Sequence, residues 1–144
     1  MAQELLARGN TLITGGTDNH LMLIDVKARG LTGSKVEKLC DALHITLNKN
    51  TIVGDKSATT PGGIRVGTPA ITTRGYLEQD AKEVGRLLDE AIKLCNLLQE
   101  RAGSKKLKDF NDQIKQSDEV KQLAVEVEQF ASQFPIPGFT VDKL

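Results

Sequence analysis

The sequence has no tryptophan, one tyrosine and four phenylalanines among its 144 residues. It therefore lacks the row of aromatic platforms on which single-stranded nucleic acid stacks. It also lacks net charge: 19 basic groups face 19 acidic ones, split 13 to 12 over residues 1–101 and 6 to 7 over residues 102–144. A protein that holds DNA, RNA or an anionic bilayer by its overall field needs an excess of one sign, so no nucleic-acid partner is expected. No apolar run approaches the ~20 residues of a bilayer span, and the first residues lack the pattern of a signal peptide, so no membrane partner is expected either. Two cysteines, Cys40 and Cys95, are too few for a disulfide framework and form no CxxC pair. Each falls on an apolar helical stripe and reads as a small buried hydrophobe in a reducing compartment. GxGxxG, GxxxxGK[ST], HExxH and GxSxG are all missing.

What is present alternates helix and strand. Ala2, Leu5 and Leu6 recur at helical spacing before Gly9-Asn10, in the manner of the last turns of a longer helix. Residues 11–14 read as a short strand, and 15–19 (GGTDN) as a turn. The nearly continuous apolar run 21–26 suggests a strand covered on both faces. Ser34 and Glu37 fit a capping box opening a helix over 35–43. Ile45 and Leu47 alternate with Thr46 and Asn48 as in a strand; 51–63 is a loop and 64–66 a short strand. Apolar positions 77, 81, 84, 88, 91, 95 and 98 predict a helix over about 76–101, packed on the domain's own sheet. Leu107, Phe110 and Ile114 start another helix, and Ser117-Asp118 can cap a last one, which Pro135 and Pro137 end. The expected architecture is an α/β, two-layer, α+β-like domain over 1–101, a small sheet packed against helices, with a helical extension and tail over 102–144.

Few residues stand out chemically. His20 follows Asp18 by two positions but has no further candidate ligands nearby, so it reads as a hydrogen-bonded structural histidine and no metal site is expected. His44 falls at a helix-to-strand junction, where a cation complements the helix C-terminus. Gly15-Gly16 and Gly62-Gly63 read as tight turns; a strand, not a helix N-terminus, follows Gly63. Arg65, flanked by small residues in GGIRVGTP, suits either an ion pair or a planar grip on a carboxylate or phosphate. Asn50, in NKN, suits either a turn or the paired donor and acceptor that read a heterocycle's edge.

Taken together, GGTDNHL (15–21), NKNT (48–51), Gly54-Asp55 and GIRVGTPA (63–70) resemble serine hydroxymethyltransferase, and FPIPGF (134–139) resembles the tail of its eukaryotic members. The resemblance runs from about residue 3 to the end, with the motifs in the family's order. It implies that the chain is the C-terminal part of a fold-type-I pyridoxal-phosphate enzyme that interconverts serine and tetrahydrofolate with glycine and 5,10-methylenetetrahydrofolate. By the match, Arg65 would hold the α-carboxylate of serine or glycine. Asn50 would hydrogen-bond the pterin of the folate, and the loop residues Ser57, Ala58 and Thr59 would lie along it. The remaining partners implied are the large domain of the same enzyme and further copies of it, as a homodimer or homotetramer, in the cytoplasm or, for the alternative isoform, the mitochondrion.

The departure from the family is equally specific. The family's cofactor-holding lysine stands in a Thr-rich motif before a Gly-rich stretch, and Lys27, Lys49 and Lys56 occur in other contexts. The resemblance therefore places no catalytic or cofactor-binding residue in this chain and implies that it is inactive alone. Two further readings compete: a free-standing α/β interaction module that dimerises through the helix over 76–101, and a regulatory domain that senses an amino acid or a folate through Arg65 and Asn50.

Overall fold

A computed structural model describes residues 1–139. The elements run α1 (Ala2–Ala7), β1 (Thr11–Leu12), β2 (Leu21–Asp25), a single 3-10 turn (Lys27–Arg29), α2 (Gly33–Ala42), β3 (Asn48–Asn50), β4 (Gly63–Gly67), α3 (Pro69–Thr73), α4 (Glu78–Ala102), α5 (Leu107–Gln116) and α6 (Asp118–Ala131). The strands form one antiparallel sheet in the order β1-β2-β4-β3. The helices lie on one side of it, so the fold is the expected two-layer α/β type of the α+β kind. The last five residues of the expected extension, 140–144, lie outside the described residues.

Met22, Ile24 and Ile64 turn from the sheet toward the helices and are 4%, 1% and 0% exposed. They meet Leu5 of α1, Val36 and Leu39 of α2, and Ile92 and Leu98 of α4 in one core. Phe110 of α5 and Val127 of α6 belong to the same core. Burying a side chain of that size contributes roughly 1.5–3 kcal/mol, so α5 and α6 are held by the apolar interior and not by surface pairs alone.

Several expectations from the sequence need correction. The run 21–26 is not covered on both faces: β2 alternates, with Met22 and Ile24 buried while Leu21 is exposed and Leu23 half-buried. No helix lies over the second face among the described residues, so period-2 burial prevails over the continuous apolar pattern. Helix α2 opens two residues earlier than the Ser34–Glu37 box suggests. Its N-cap is Thr32, whose Oγ1 accepts from the Lys35 amide at 3.4 Å. Glu37 is thereby released to accept from the Lys49 amide at 3.0 Å and to pair with the Lys49 ammonium at 3.5 Å. The third strand is displaced from 45–48 to Asn48–Asn50, with Ile45 and Leu47 half-buried beside the core. Helix α3 is unforeseen; Pro69, a residue suited to a first helical turn, starts it.

The long helix forms as expected, and its main neighbours are α1, α2, α5 and α6. Its stripe is buried in the chain's own interior: Leu88, Ala91, Cys95 and Leu98 are at most 2% exposed. That leaves no apolar seam there for dimerisation. Leu77, the first stripe position, is instead 74% exposed. Cys40 and Cys95 are free, fully buried thiols. Burial pushes both upward, Cys95 to about 12, and neither ionises near neutral pH.

Two polar devices tie the layers together. Asp89 of α4 is fully buried and accepts from Asn10 Nδ2 at 2.8 Å, with Lys93 Nζ at 2.9 Å and Arg29 at 3.5 Å. At the far end, Arg74 donates to the carbonyls of Ala131 (2.6 Å), Phe134 (2.9 Å) and Pro135 (3.2 Å). Phe134 stacks on Tyr76 with 3.7 Å between centroids. Helix α6 ends at Ala131, short of Phe134; Arg74 caps its last carbonyl and holds the Phe134 and Pro135 carbonyls beyond it. As expected, Ser117 caps this helix, its Oγ accepting from the Val120 amide at 3.3 Å.

Candidate functional site

The uncovered face of the sheet presents the opposite parity of each strand. In β2 these are Leu21 and Leu23; in β4, Arg65. The antiparallel register places Leu23 opposite Arg65 on one side and Asn48 opposite it on the other, with Asn50 next along, facing Gly63. Gly63 has no room for a side chain: a Cβ there would stand 2.5 Å from Ile52 Cγ2 and 3.1 Å from the Asn50 carbonyl.

Arg65 and Asn50 line one open cleft of about 620 Å³, walled by the turn Thr14–Asn19 and by Leu21 and Leu23. The Arg65 side chain is exposed, and no hydrogen bond or ion pair engages it among the described residues. Asn50 Nδ2 donates to the Thr51 carbonyl at 2.7 Å, which fixes the amide plane and leaves Oδ1 as an uncommitted acceptor. A free planar cation beside a fixed amide, on a half-apolar surface, suits a ligand with a carboxylate and a ring that carries donors.

The turn that walls this cleft is built by its own side chains. Thr17 Oγ1 donates to the Leu21 carbonyl at 2.5 Å, and Asn19 Oδ1 accepts from the Leu21 amide at 2.8 Å. His20, expected as a hydrogen-bonded ring, contributes differently: its imidazole is exposed, and its backbone carbonyl accepts from the Thr68 amide at 3.1 Å. Among the described residues no cluster of three or more metal-ligating side chains occurs. His44 sits just beyond α2 at a positive φ of 59°, its Nε2 3.2 Å from Glu128 Oε1. It thus reaches α6, away from the cleft.

Ser57, Ala58 and Thr59 do not line the cleft with Arg65 and Asn50. They are exposed in the loop that joins the strands carrying those two residues, with Ser57 Oγ 2.6 Å from Thr59 Oγ1. The base of that loop is held by Asp55. Its Oδ2 accepts from the amides of Ile52 (2.9 Å) and Gly62 (2.8 Å), and its Oδ1 pairs with Lys27 Nζ at 3.3 Å. The Gly62 and Ile52 amides, with Lys27, hold this carboxyl below the usual carboxylate range. Sequence reasoning missed Thr17, Asn19 and Asp55 as organisers of the site. Thr-x-Asn in a turn and an Asp behind Gly54 were the available signals, since both residue types bond the backbone locally.

The chain matches the family model described as serine hydroxymethyltransferase over residues 1–88. Serine hydroxymethyltransferase 5 of Arabidopsis thaliana is 44% identical over 143 residues, covering 99% of this chain and 30% of the relative. The mitochondrial serine hydroxymethyltransferase of Candida glabrata is 48% identical over 94% of this chain and 29% of the relative. The serine hydroxymethyltransferase of Caenorhabditis briggsae is 47% identical over 96% of this chain and 28% of the relative. The chain thus spans about 30% of the length of the curated relatives it matches.

Proposed function

This chain belongs to the serine hydroxymethyltransferase family, and from that premise we propose that it is the C-terminal part of an enzyme that interconverts serine and tetrahydrofolate with glycine and 5,10-methylenetetrahydrofolate. Residues 1–101 form the small domain in this reading and 102–144 its helical extension. The observation that carries it is the Arg65 guanidinium, unpaired among the described residues, in a cleft shared with Asn50. Arg65 grips the α-carboxylate of serine or glycine at two points and so fixes how the amino acid presents its α-carbon. Asn50 hydrogen-bonds the pterin, and Ser57, Ala58 and Thr59 border the folate.

Pyridoxal phosphate, the family's cofactor, supplies the electron sink for that α-carbon. The residues of this chain do not fit it. No lysine and no aromatic ring lines the Arg65 cleft. Lys27 is engaged by Asp55, Lys49 pairs with Glu37, and Lys56 stands exposed in the loop. The cofactor and its lysine therefore belong to the rest of the enzyme, which also covers Leu21 and Leu23 on the open face. The whole enzyme assembles from identical copies as a dimer or tetramer. We place it in the cytoplasm; relatives include mitochondrial and chloroplastic proteins, and no helix among the described residues is long and apolar enough to cross a membrane.

The test is to titrate the purified 144-residue chain with pyridoxal phosphate and then add serine. The expected result is no saturable visible absorption band and no serine cleavage. A saturable band accompanied by cleavage would refute the division of labour between this chain and the rest of the enzyme.

A further inference from the structure

Asp55 is the most heavily engaged residue of an otherwise exposed loop. Its side chain is 5% exposed although every other residue from 53 to 60 is open to solvent. One carboxylate oxygen takes both backbone amides at the base of the loop, Ile52 and Gly62. The other faces Lys27, whose Nζ also donates to the Gly54 carbonyl at 3.2 Å. Gly62 is built around this carboxylate: a Cβ on it would meet Asp55 Oδ1 at 2.8 Å and Ile52 Cδ1 at 3.0 Å. The Gly62 carbonyl in turn accepts from the amides of Val26 and Lys27, both at 3.0 Å, which ties the clasp to the end of β2. Beyond the clasped residues stand Gly63, next to Gly62, and Asn50, two positions before Ile52, ladder partners in β4 and β3.

An exposed connection of ten or so residues ordinarily samples many conformations, and ordering it costs about 1–2 kcal/mol per residue. A carboxylate that accepts two amides and an ammonium at its neck concentrates strong, charge-assisted bonds where they restrict both ends at once. Those ends carry Asn50 on one side and, through Gly63, the strand of Arg65 on the other.

We propose that Asp55 is a positioning residue for folate: it clasps the neck of the 52–62 loop, so that Asn50 and the Ser57–Thr59 edge are presented in one fixed arrangement before the pterin arrives. This rests on the folate reading of Asn50 and the loop. It adds a residue that touches no ligand yet sets the co-substrate's affinity, while the amino-acid site at Arg65, anchored between two strands, is left unaffected.

The test compares Asp55→Ala, Asp55→Asn and Asn50→Ala in the complete enzyme, reading KM for tetrahydrofolate against kcat for folate-independent cleavage of a β-hydroxy amino acid. Asp55→Ala should raise KM for tetrahydrofolate about tenfold while folate-independent kcat stays within about twofold. Asp55→Asn keeps an oxygen acceptor for the two amides and should recover KM to within about threefold of wild type. In parallel, amide exchange on the 144-residue chain should show Ile52 and Gly62 losing protection at least about tenfold in Asp55→Ala, with the β2–β4 ladder retained. If Asn50→Ala raises KM for tetrahydrofolate and Asp55→Ala does not, the clasp is overturned and the folate reading stands. If neither variant moves it, the folate reading falls and the clasp with it. Unchanged exchange at Ile52 and Gly62, or equal loss of both activities in Asp55→Ala and Asp55→Asn, also overturns the proposal.

Discussion

Arg65 and Asn50 look into the same cleft from adjacent antiparallel strands, and the register that pairs Asn48 with Arg65 and Asn50 with Gly63 holds them two residues apart along the ladder. Their spacing therefore depends on the β3–β4 pairing and on the absence of a side chain at position 63. Gly63→Ala should displace Ile52 or the Asn50 backbone, destabilising the chain by about 1–3 kcal/mol, the range for overpacking. Denaturant unfolding measures this, and an unchanged midpoint would show that the ladder has slack there.

Asn50→Ala should leave stability nearly unchanged, since its side chain makes a single hydrogen bond, to the neighbouring Thr51 carbonyl. In the complete enzyme it should raise the tetrahydrofolate requirement with little effect on folate-independent cleavage. Steady-state kinetics with and without the folate separate the two.

Asp89 makes stability depend on acid. Burial alone would raise its pKa, but hydrogen bonds from Lys93 and Asn10 and the charge of Arg29 outweigh burial and lower it below the ordinary 3.8. A carboxyl whose folded value is depressed stabilises the fold fully above its unfolded value, and that contribution is lost as pH falls through the folded one. Wild type should thus lose stability as the pH drops below about 3.8, and Asp89→Asn should show a shallower loss over the same window. Asp89→Ala leaves Asn10 without its acceptor and Lys93, Arg29 and, 3.9 Å away, Arg8 without the buried carboxylate they share, and should cost about 3–5 kcal/mol at neutral pH. Equilibrium unfolding as a function of pH checks both.

Arg74 joins the strand–helix unit that carries Arg65 to the end of α6. Arg74→Leu removes bonds to three terminal carbonyls and should cost about 2 kcal/mol, with faster amide exchange confined to residues near 131–139. Uniform loss of protection across the core would contradict so local a role.

Much of this fold was legible because local signals agreed with the final packing. The stripe from Leu88 to Leu98 did become core, Ser117 did cap α6, and Pro135 did follow its end. What escaped depended on partners distant in sequence. The 21–26 run looked doubly covered because its outward residues Leu21 and Leu23 are also apolar, and only the position of the helices shows that one face is open. Ser34 fitted a capping box, but Glu37 is drawn across to Lys49 and Thr32 takes the cap. The chemistry of Arg65 and Asn50 was ambiguous from residue type; family resemblance singled them out, and register then brought them into one cleft. Ser57–Thr59 did not join them there. Asp55 shows in the sequence only as one residue of a family motif, because its amide partners lie on both sides of a loop that no periodicity describes.

Arg65→Lys in the complete enzyme probes the carboxylate grip most directly, by equilibrium binding of serine or glycine with pyridoxal phosphate content measured alongside. The lysine keeps the charge and loses the two-point fork, and because Arg65 is exposed and has no partner among the described residues the fold should change by less than about 0.5 kcal/mol. A two-point carboxylate grip requires amino-acid affinity to weaken by about 10- to 100-fold, with cofactor content unchanged. Serine or glycine binding as tight as in wild type would contradict it.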